Sequence, residues 1–190
     1  MKLYELLNKY NIQIDKDIFD YGFIILKNYC IVLSISLIFS LLLQTFLEML
    51  IFFLSFLLLR RYCGGYHFNN SLYCNIVSTA ILIFLPYCTK YYFTLNWAIL
   101  LIVNCFSVIL FFIIGPIDHP NKRISKNEEK KFQQKGFITI AILLIIEITC
   151  RFLEIDIVSE NIFIALLCTL ISQIAAILKS DFRIKTYLFF

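Results

Sequence analysis

Apolar residues run in long uninterrupted blocks along this chain, and polar residues gather in a few short stretches between them. The N-terminal stretch differs. There Leu3, Leu7, Tyr10, Ile14 and Ile18 recur three or four apart with Leu6 beside them, while Lys2, Glu5, Lys9, Asp15, Lys16 and Asp17 take most of the remaining surface. That periodicity predicts an amphipathic helix over 1–20, lying in a membrane interface or packed as a cytosolic helix on the rest of the bundle.

From Tyr21 to Leu59 the chain is almost continuous oil, broken by Lys27 and by Gln44, Thr45 and Glu48. A single helix of that length would be about 58 Å long, too long for one crossing of a roughly 30 Å hydrocarbon core. The pattern therefore predicts a hairpin turning near Gln44–Glu48, with spans over 22–43 and 46–60. The second arm is short, which calls for local bilayer thinning or a tilted, partly inserted helix. Further apolar runs predict spans over 71–91, 96–114, 136–152 and 161–178; Gly115-Pro116 stops the fourth. Apolar runs that are continuous rather than alternating select helices, and lipid admits only helices or closed barrels. The expectation is an all-α membrane protein: one integral membrane domain over 1–190, with about six transmembrane helices plus the N-terminal amphipathic helix.

Charge supplies the orientation. With the N-terminus in the cytoplasm, the inner segments hold Lys2, Lys9, Lys16, Lys27, Arg60, Arg61, the basic residues from Lys122 to Lys135, and Lys179, Arg183 and Lys185. Of the 17 Lys and Arg, only Lys90 and Arg151 then fall at the outer ends, while acidic Glu154, Asp156 and Glu160 lie in an outer loop. The positive-inside rule favours this arrangement, with both termini cytoplasmic, and favours the hairpin, since a single span over 28–59 would put Arg60-Arg61 outside. At 61% hydrophobic over 190 residues, the composition lies well above the about 45–50% of soluble domains.

Seven cysteines are an odd number, and Cys30, Cys88, Cys105, Cys150 and Cys168 lie in or beside apolar runs. They read as small hydrophobes in helix packing rather than as a disulfide framework. No cleavable leader is expected, because residues 1–20 carry charges throughout. Glu147 and Arg151 are i, i+4, an intrahelical pair. Asn104 and Gln173 read as hydrogen-bonding residues between helices.

The remaining chemistry gathers in Arg60-Arg61-Tyr62-Cys63-Gly64-Gly65-Tyr66-His67-Phe68-Asn69-Asn70-Ser71-Leu72-Tyr73-Cys74, the main polar break in the apolar chain. A thiol needs a base or a cation beside it to act as a nucleophile, and His is the usual choice. His67 and Cys74 are seven apart; on one straight helix their Cα atoms would be about 10.5 Å apart, too far for a direct hydrogen bond. Asn69-Asn70-Ser71 is rich in N-cap residues, so a helix starts there. Cys74 then occupies its first turn, where the helix dipole favours negative charge, and His67 lies in the preceding turn, free to fold back over it. Gly64-Gly65 permits the tight backbone that this requires and could bring amides near a developing oxyanion. Arg60 and Arg61 could bind a substrate carboxylate or sit among lipid headgroups. Cys63, four residues before His67, is a competing thiol. A zinc site from Cys63, His67 and Cys74 matches no common ligand spacing, so no metal and no cofactor are expected. His119, beside Asp118 and Pro120, reads as loop-shaping.

The run Arg60-Arg61-Tyr62-Cys63-Gly64-Gly65-Tyr66-His67, followed seven residues on by Cys74, resembles the accessory gene regulator protein B family. Gly115-Pro116-Ile117-Asp118-His119-Pro120-Asn121-Lys122-Arg123 resembles that family's second block, after its fourth span, and the likeness covers essentially the whole chain. The resemblance implies a membrane-embedded cysteine endopeptidase of bacterial quorum sensing. Such an enzyme removes the C-terminal part of a small precursor peptide, the D-type partner, and promotes its closure into a ring. It implies the catalytic pair His67 and Cys74, gives Cys63 no role, and suggests a homodimer in the bacterial cell membrane with its active site on the cytoplasmic side. Partners would be the precursor peptide and the lipid bilayer, with no nucleic acid. A small transporter or export component with no chemistry of its own is the alternative.

Overall fold

A computed structural model of the chain describes residues 16–66, 68, 70–94, 96–114 and 126–187. Among the described residues six helices form: α1 Lys16–Leu42, α2 Phe46–Cys63, α3 Ser71–Tyr92, α4 Trp97–Ile114, α5 Lys126–Phe152 and α6 Asp156–Tyr187. The amphipathic helix expected over 1–20 lies mostly outside them, and residues 16–20 open α1. The block from Gly115 to Arg123, with His119, also lies outside.

Among the described residues, four helices are long and apolar enough to cross a membrane, through Gly22–Leu42, Ser71–Tyr92, Trp97–Ile114 and Asp156–Leu178. This corrects the expectation of about six spans, and charge is the physical reason. α2 is 18 residues long and carries Glu48 near one end and Arg60-Arg61 near the other. From Glu48 to Arg60 the helix rises only about 18 Å, well short of a bilayer core. α5 opens on the polar stretch Lys126–Lys135 and carries Glu147 and Arg151 further along.

The helices bury a polar-studded interior and turn apolar side chains outward. Leu42, Tyr92, Ile113 and Phe152 are between 73% and 79% exposed. So broad an apolar exterior is what lipid requires and what water would penalise. α6 is the central element, packing against α2, α3, α4 and α5. Its residues Ser159 to Leu166 are all buried, as expected of a helix surrounded on every side. Phe52 and Leu59 of α2, Leu100 and Phe111 of α4, and Leu143 of α5 complete the core around Phe163 and Ala165. α1 packs chiefly on α3.

Polar contacts lock the bundle where the apolar effect cannot, since lipid is as apolar as the helix faces. Asn104 of α4 donates to Glu147 of α5 at 2.9 Å, an interhelical role expected for Asn104. Arg151 reaches across the α5–α6 turn to Asp156 and, at 4.0 Å, to Glu160. Those contacts take the place of the intrahelical pair with Glu147. The α1–α2 turn at Gln44, with φ 57°, reverses the chain where the polar break predicted it.

The bundle has two chemically distinct ends. At one, Glu48 of α2 pairs with Lys90 of α3 at 3.3 Å, beside a cavity of about 370 Å³ that Asp156, Glu160 and Asn161 also line. At the other lie the C-terminus of α2, the N-terminus of α3 and Ser172 of α6.

Candidate functional site

The α2–α3 connection is built from its two helix ends. α2 stops because Gly64 adopts φ 73°, and its amide donates to the Arg60 carbonyl at 3.1 Å. Gly65 comes next with φ 144°. Both values suit glycine and little else, so the Gly-Gly pair supplies the sharp exit that the sequence predicted for it. α3 starts at Ser71 with Asn70 as its N-cap; the Asn70 side chain accepts the Leu72 amide at 2.9 Å. The Asn69-Asn70-Ser71 signal thus marks a real helix start. Cys74 lies in the first turn, its amide donating to the Asn70 carbonyl at 3.2 Å.

Between these ends the loop is tied down to α6. The Tyr66 amide donates to both the carbonyl oxygen and the Oγ of Ser172, each at 3.0 Å. Arg60 donates through Nη2 to the Tyr66 carbonyl at 2.5 Å and through Nη1 to Ser172 Oγ at 3.4 Å. Its guanidinium also stacks on Phe56, 5.5 Å from the ring centroid. Gln173 donates to the Cys63 carbonyl at 2.9 Å, which is the interhelical role expected of it. Tyr66 and Phe68 meet edge to face with centroids 4.9 Å apart.

From the other side, α1 holds the start of α3. Asn28 donates to Ser71 Oγ at 2.9 Å and accepts from Asn75 at 3.1 Å. The N-terminal turn that carries Cys74 is therefore fixed by its cap and by α1 together.

The two candidate thiols occupy different environments. Cys63 is 1% exposed, and burial pushes its thiol up to about 12. Cys74 is half-buried and lies within electrostatic range of the Arg60 guanidinium, as do Tyr29 and Cys168. Arg61 is exposed on the same helix end, its guanidinium 5.7 Å from the Tyr62 ring centroid. His67 lies outside the described residues, so the described geometry is that of the thiol and of the loop leading to the imidazole. Among the described residues no group of three or more His, Cys, Asp or Glu side chains gathers as a metal site.

Three contributors escaped sequence reasoning: Ser172, Tyr66 as the loop's anchor point, and Asn28. The signal for Ser172 was its place beside Gln173, a polar pair in the apolar run from Ala165 to Leu178. Asn28, next to Lys27, broke the first apolar run in the same way.

Comparison with known proteins gives these features a context. The family described as "Accessory gene regulator B" matches residues 1–177. A putative AgrB-like protein of Clostridium perfringens (strain SM101 / Type A) is 31% identical over 141 residues, covering 70% of this chain and 65% of that protein. A putative AgrB-like protein of Listeria innocua is 33% identical over 129 residues, covering 66% and 60%. An accessory gene regulator protein B of Staphylococcus haemolyticus is 30% identical over 107 residues, covering 56% of each. The chain thus spans about 65% or less of the length of these relatives. No solved structure matches it. With a family match running from the first residue to residue 177, within α6, the chain belongs to the accessory gene regulator B family.

Proposed function

We propose that this protein is a membrane-embedded cysteine endopeptidase that cuts the C-terminal part from a small signal-precursor peptide and promotes closure of the remainder into a ring. Cys74 is the nucleophile and His67 its base. The observation that carries this reading is the contrast between the two thiols of one loop. Cys63 is buried and stays protonated, whereas Cys74 is half-buried at a helix N-terminus within range of a fixed cation. A nucleophile needs access to substrate, and of the two thiols Cys74 is the one open to it.

The chemistry follows from those two groups. The His67 imidazole takes the proton from Cys74, and the sulfur attacks the scissile carbonyl of the precursor. The tetrahedral oxyanion collapses, the C–N bond breaks, and the imidazolium returns the proton to the leaving amine. An acyl-thioester on Cys74 remains. A thiol or hydroxyl within the bound precursor then attacks it, giving a cyclic thiolactone or lactone and restoring the Cys74 thiol. Exchange of one thioester for another is nearly balanced in free energy, so excluding water decides between ring and linear product. A site at a membrane edge favours the ring.

In this reading α2 and α5 run between the two faces as short helices in a locally thinned bilayer. The Arg60 end of the bundle and both termini face the cytoplasm, where the basic residues gather, and the enzyme acts as a homodimer in the bacterial cell membrane. The Gly64 amide is taken by the Arg60 carbonyl at 3.1 Å, so in this reading oxyanion support from the Gly-Gly pair falls to the Gly65 amide. Co-expression with a candidate precursor, assayed for a size shift, tests the assignment. Cys74→Ser and His67→Ala each abolish processing while the protein still inserts, and Cys63→Ser spares it. Normal processing by Cys74→Ser defeats the peptidase reading and favours a transporter without chemistry of its own.

A further inference from the structure

Two adjacent residues of α6 grip the two ends of the Gly64-Gly65 turn. Gln173 holds the Cys63 carbonyl on the α2 side at 2.9 Å. Ser172 holds the Tyr66 amide on the far side through both its carbonyl and its hydroxyl, each at 3.0 Å. Between them the loop passes so close to α6 that a Cβ at Gly65 would lie 2.5 Å from Ser172 Oγ.

Tyr66 is bracketed on both of its peptide groups. Ser172 takes the N–H, and Arg60 donates to the carbonyl at 2.5 Å. The Arg60 guanidinium also reaches Ser172 Oγ, at 3.4 Å, so the three residues close a ring of hydrogen bonds. The Tyr66 carbonyl is half of the planar amide that joins Tyr66 to residue 67. Whatever orients that carbonyl fixes the backbone one residue before the proposed base.

We infer that Ser172 is a positioning residue for the thiol chemistry: together with Arg60 it fixes both peptide groups of Tyr66, the residue that precedes the proposed base in the chain. This rests on the proposed peptidase function. Ser172 itself touches neither substrate nor the reacting atoms. Its hydroxyl serves two roles, as an acceptor for the Tyr66 amide and as a second anchor for the Arg60 guanidinium. The first keeps the loop on α6, and the second keeps Arg60 pointed at the Tyr66 carbonyl. Removing the hydroxyl leaves the Ser172 carbonyl as an acceptor, so the loop stays docked but the ring opens. Misplacing one reacting group by about an ångström is enough to cost roughly 100-fold in rate.

The test uses the full-length chain in lipid nanodiscs with a synthetic precursor, measuring kcat, KM and thermal stability for Ser172→Ala, Arg60→Gln and the double variant. Ser172→Ala is expected to lower kcat by roughly 10–100-fold, with KM and Tm close to wild type. The double variant is expected to be no slower than the worse single variant, because both substitutions open the same ring. A kcat within about twofold of wild type, or losses that multiply in the double variant, overturns the inference. So does a rise in KM at unchanged kcat. If Ser172→Ala fails to insert, Ser172→Gly, which also removes the hydroxyl, takes its place with the same expected and contrary outcomes. Cys74→Ser is run alongside. Wild-type turnover from it sinks the peptidase reading itself, whereas a dead Cys74→Ser beside a fully active Ser172→Ala sinks only the role given to Ser172.

Discussion

Gln173 donates its side-chain amide to the main-chain carbonyl of Cys63 at 2.9 Å, tying the middle of the last helix to the end of the second across 110 residues. The carbonyls of a final helical turn have no partner within their own helix, and Cys63 is almost fully buried. Water cannot take over if the amide is removed. Gln173→Leu keeps the size and deletes the donor, so it should cost about 1–3 kcal/mol. Thermal unfolding in detergent should show a clear fall in Tm. An unchanged Tm would mean that the bond is incidental to the packing of α6 on α2.

Thiol labelling should separate the two cysteines of the loop. Burial pushes the Cys63 thiol up from 9.0 to about 12, so it stays protonated and unreactive through the neutral and mildly alkaline range. Cys74 is half-buried and open to a small reagent. In a variant whose other five cysteines are replaced by alanine, a maleimide should modify Cys74 in the folded protein and reach Cys63 only after unfolding. Equal labelling of both, or labelling of Cys63 first, would contradict the environments described.

The far end of the bundle offers a charge-pair test. Glu48 is 4% exposed and pairs with Lys90 at 3.3 Å. Breaking a buried pair from one side strands the other charge, which costs more than removing both. Lys90→Ala should therefore lower Tm more than the double variant Lys90→Ala/Glu48→Gln. Because the Lys90 side chain is 32% exposed, the single variant should cost less than the about 3–5 kcal/mol of a fully buried pair. A double variant less stable than Lys90→Ala would show that the two side chains act separately.

Local signals were the legible ones. Asn70 and Ser71 announce the start of α3 because N-capping is decided within a few residues. Gly64-Gly65 announces a tight turn because only glycine takes those backbone angles readily. Gln44 marks the first reversal because it opens a polar break in an apolar run too long for one crossing. Hydropathy alone overcounted the spans, since α2 and α5 are apolar enough to look like crossings but carry charges at spacings that leave too little oil between them. Non-local pairing was beyond reach. Sequence spacing suggested Glu147 with Arg151, whereas folding offered Glu147 the amide of Asn104 and gave Arg151 the carboxylates past the turn. The contact between Ser172 and Tyr66 joins positions 106 residues apart, and a serine in an apolar run does not say which loop will come to rest on it.

The central claim is a covalent one, and intact-protein mass spectrometry reads it most directly. Purified protein mixed with precursor and quenched in acid should carry an adduct with the mass of the precursor's N-terminal part. Peptide mapping should place it on Cys74, and hydroxylamine should remove it as a thioester. Precursor cleaved at full rate with no such adduct, or an adduct that maps to Cys63, would contradict the account.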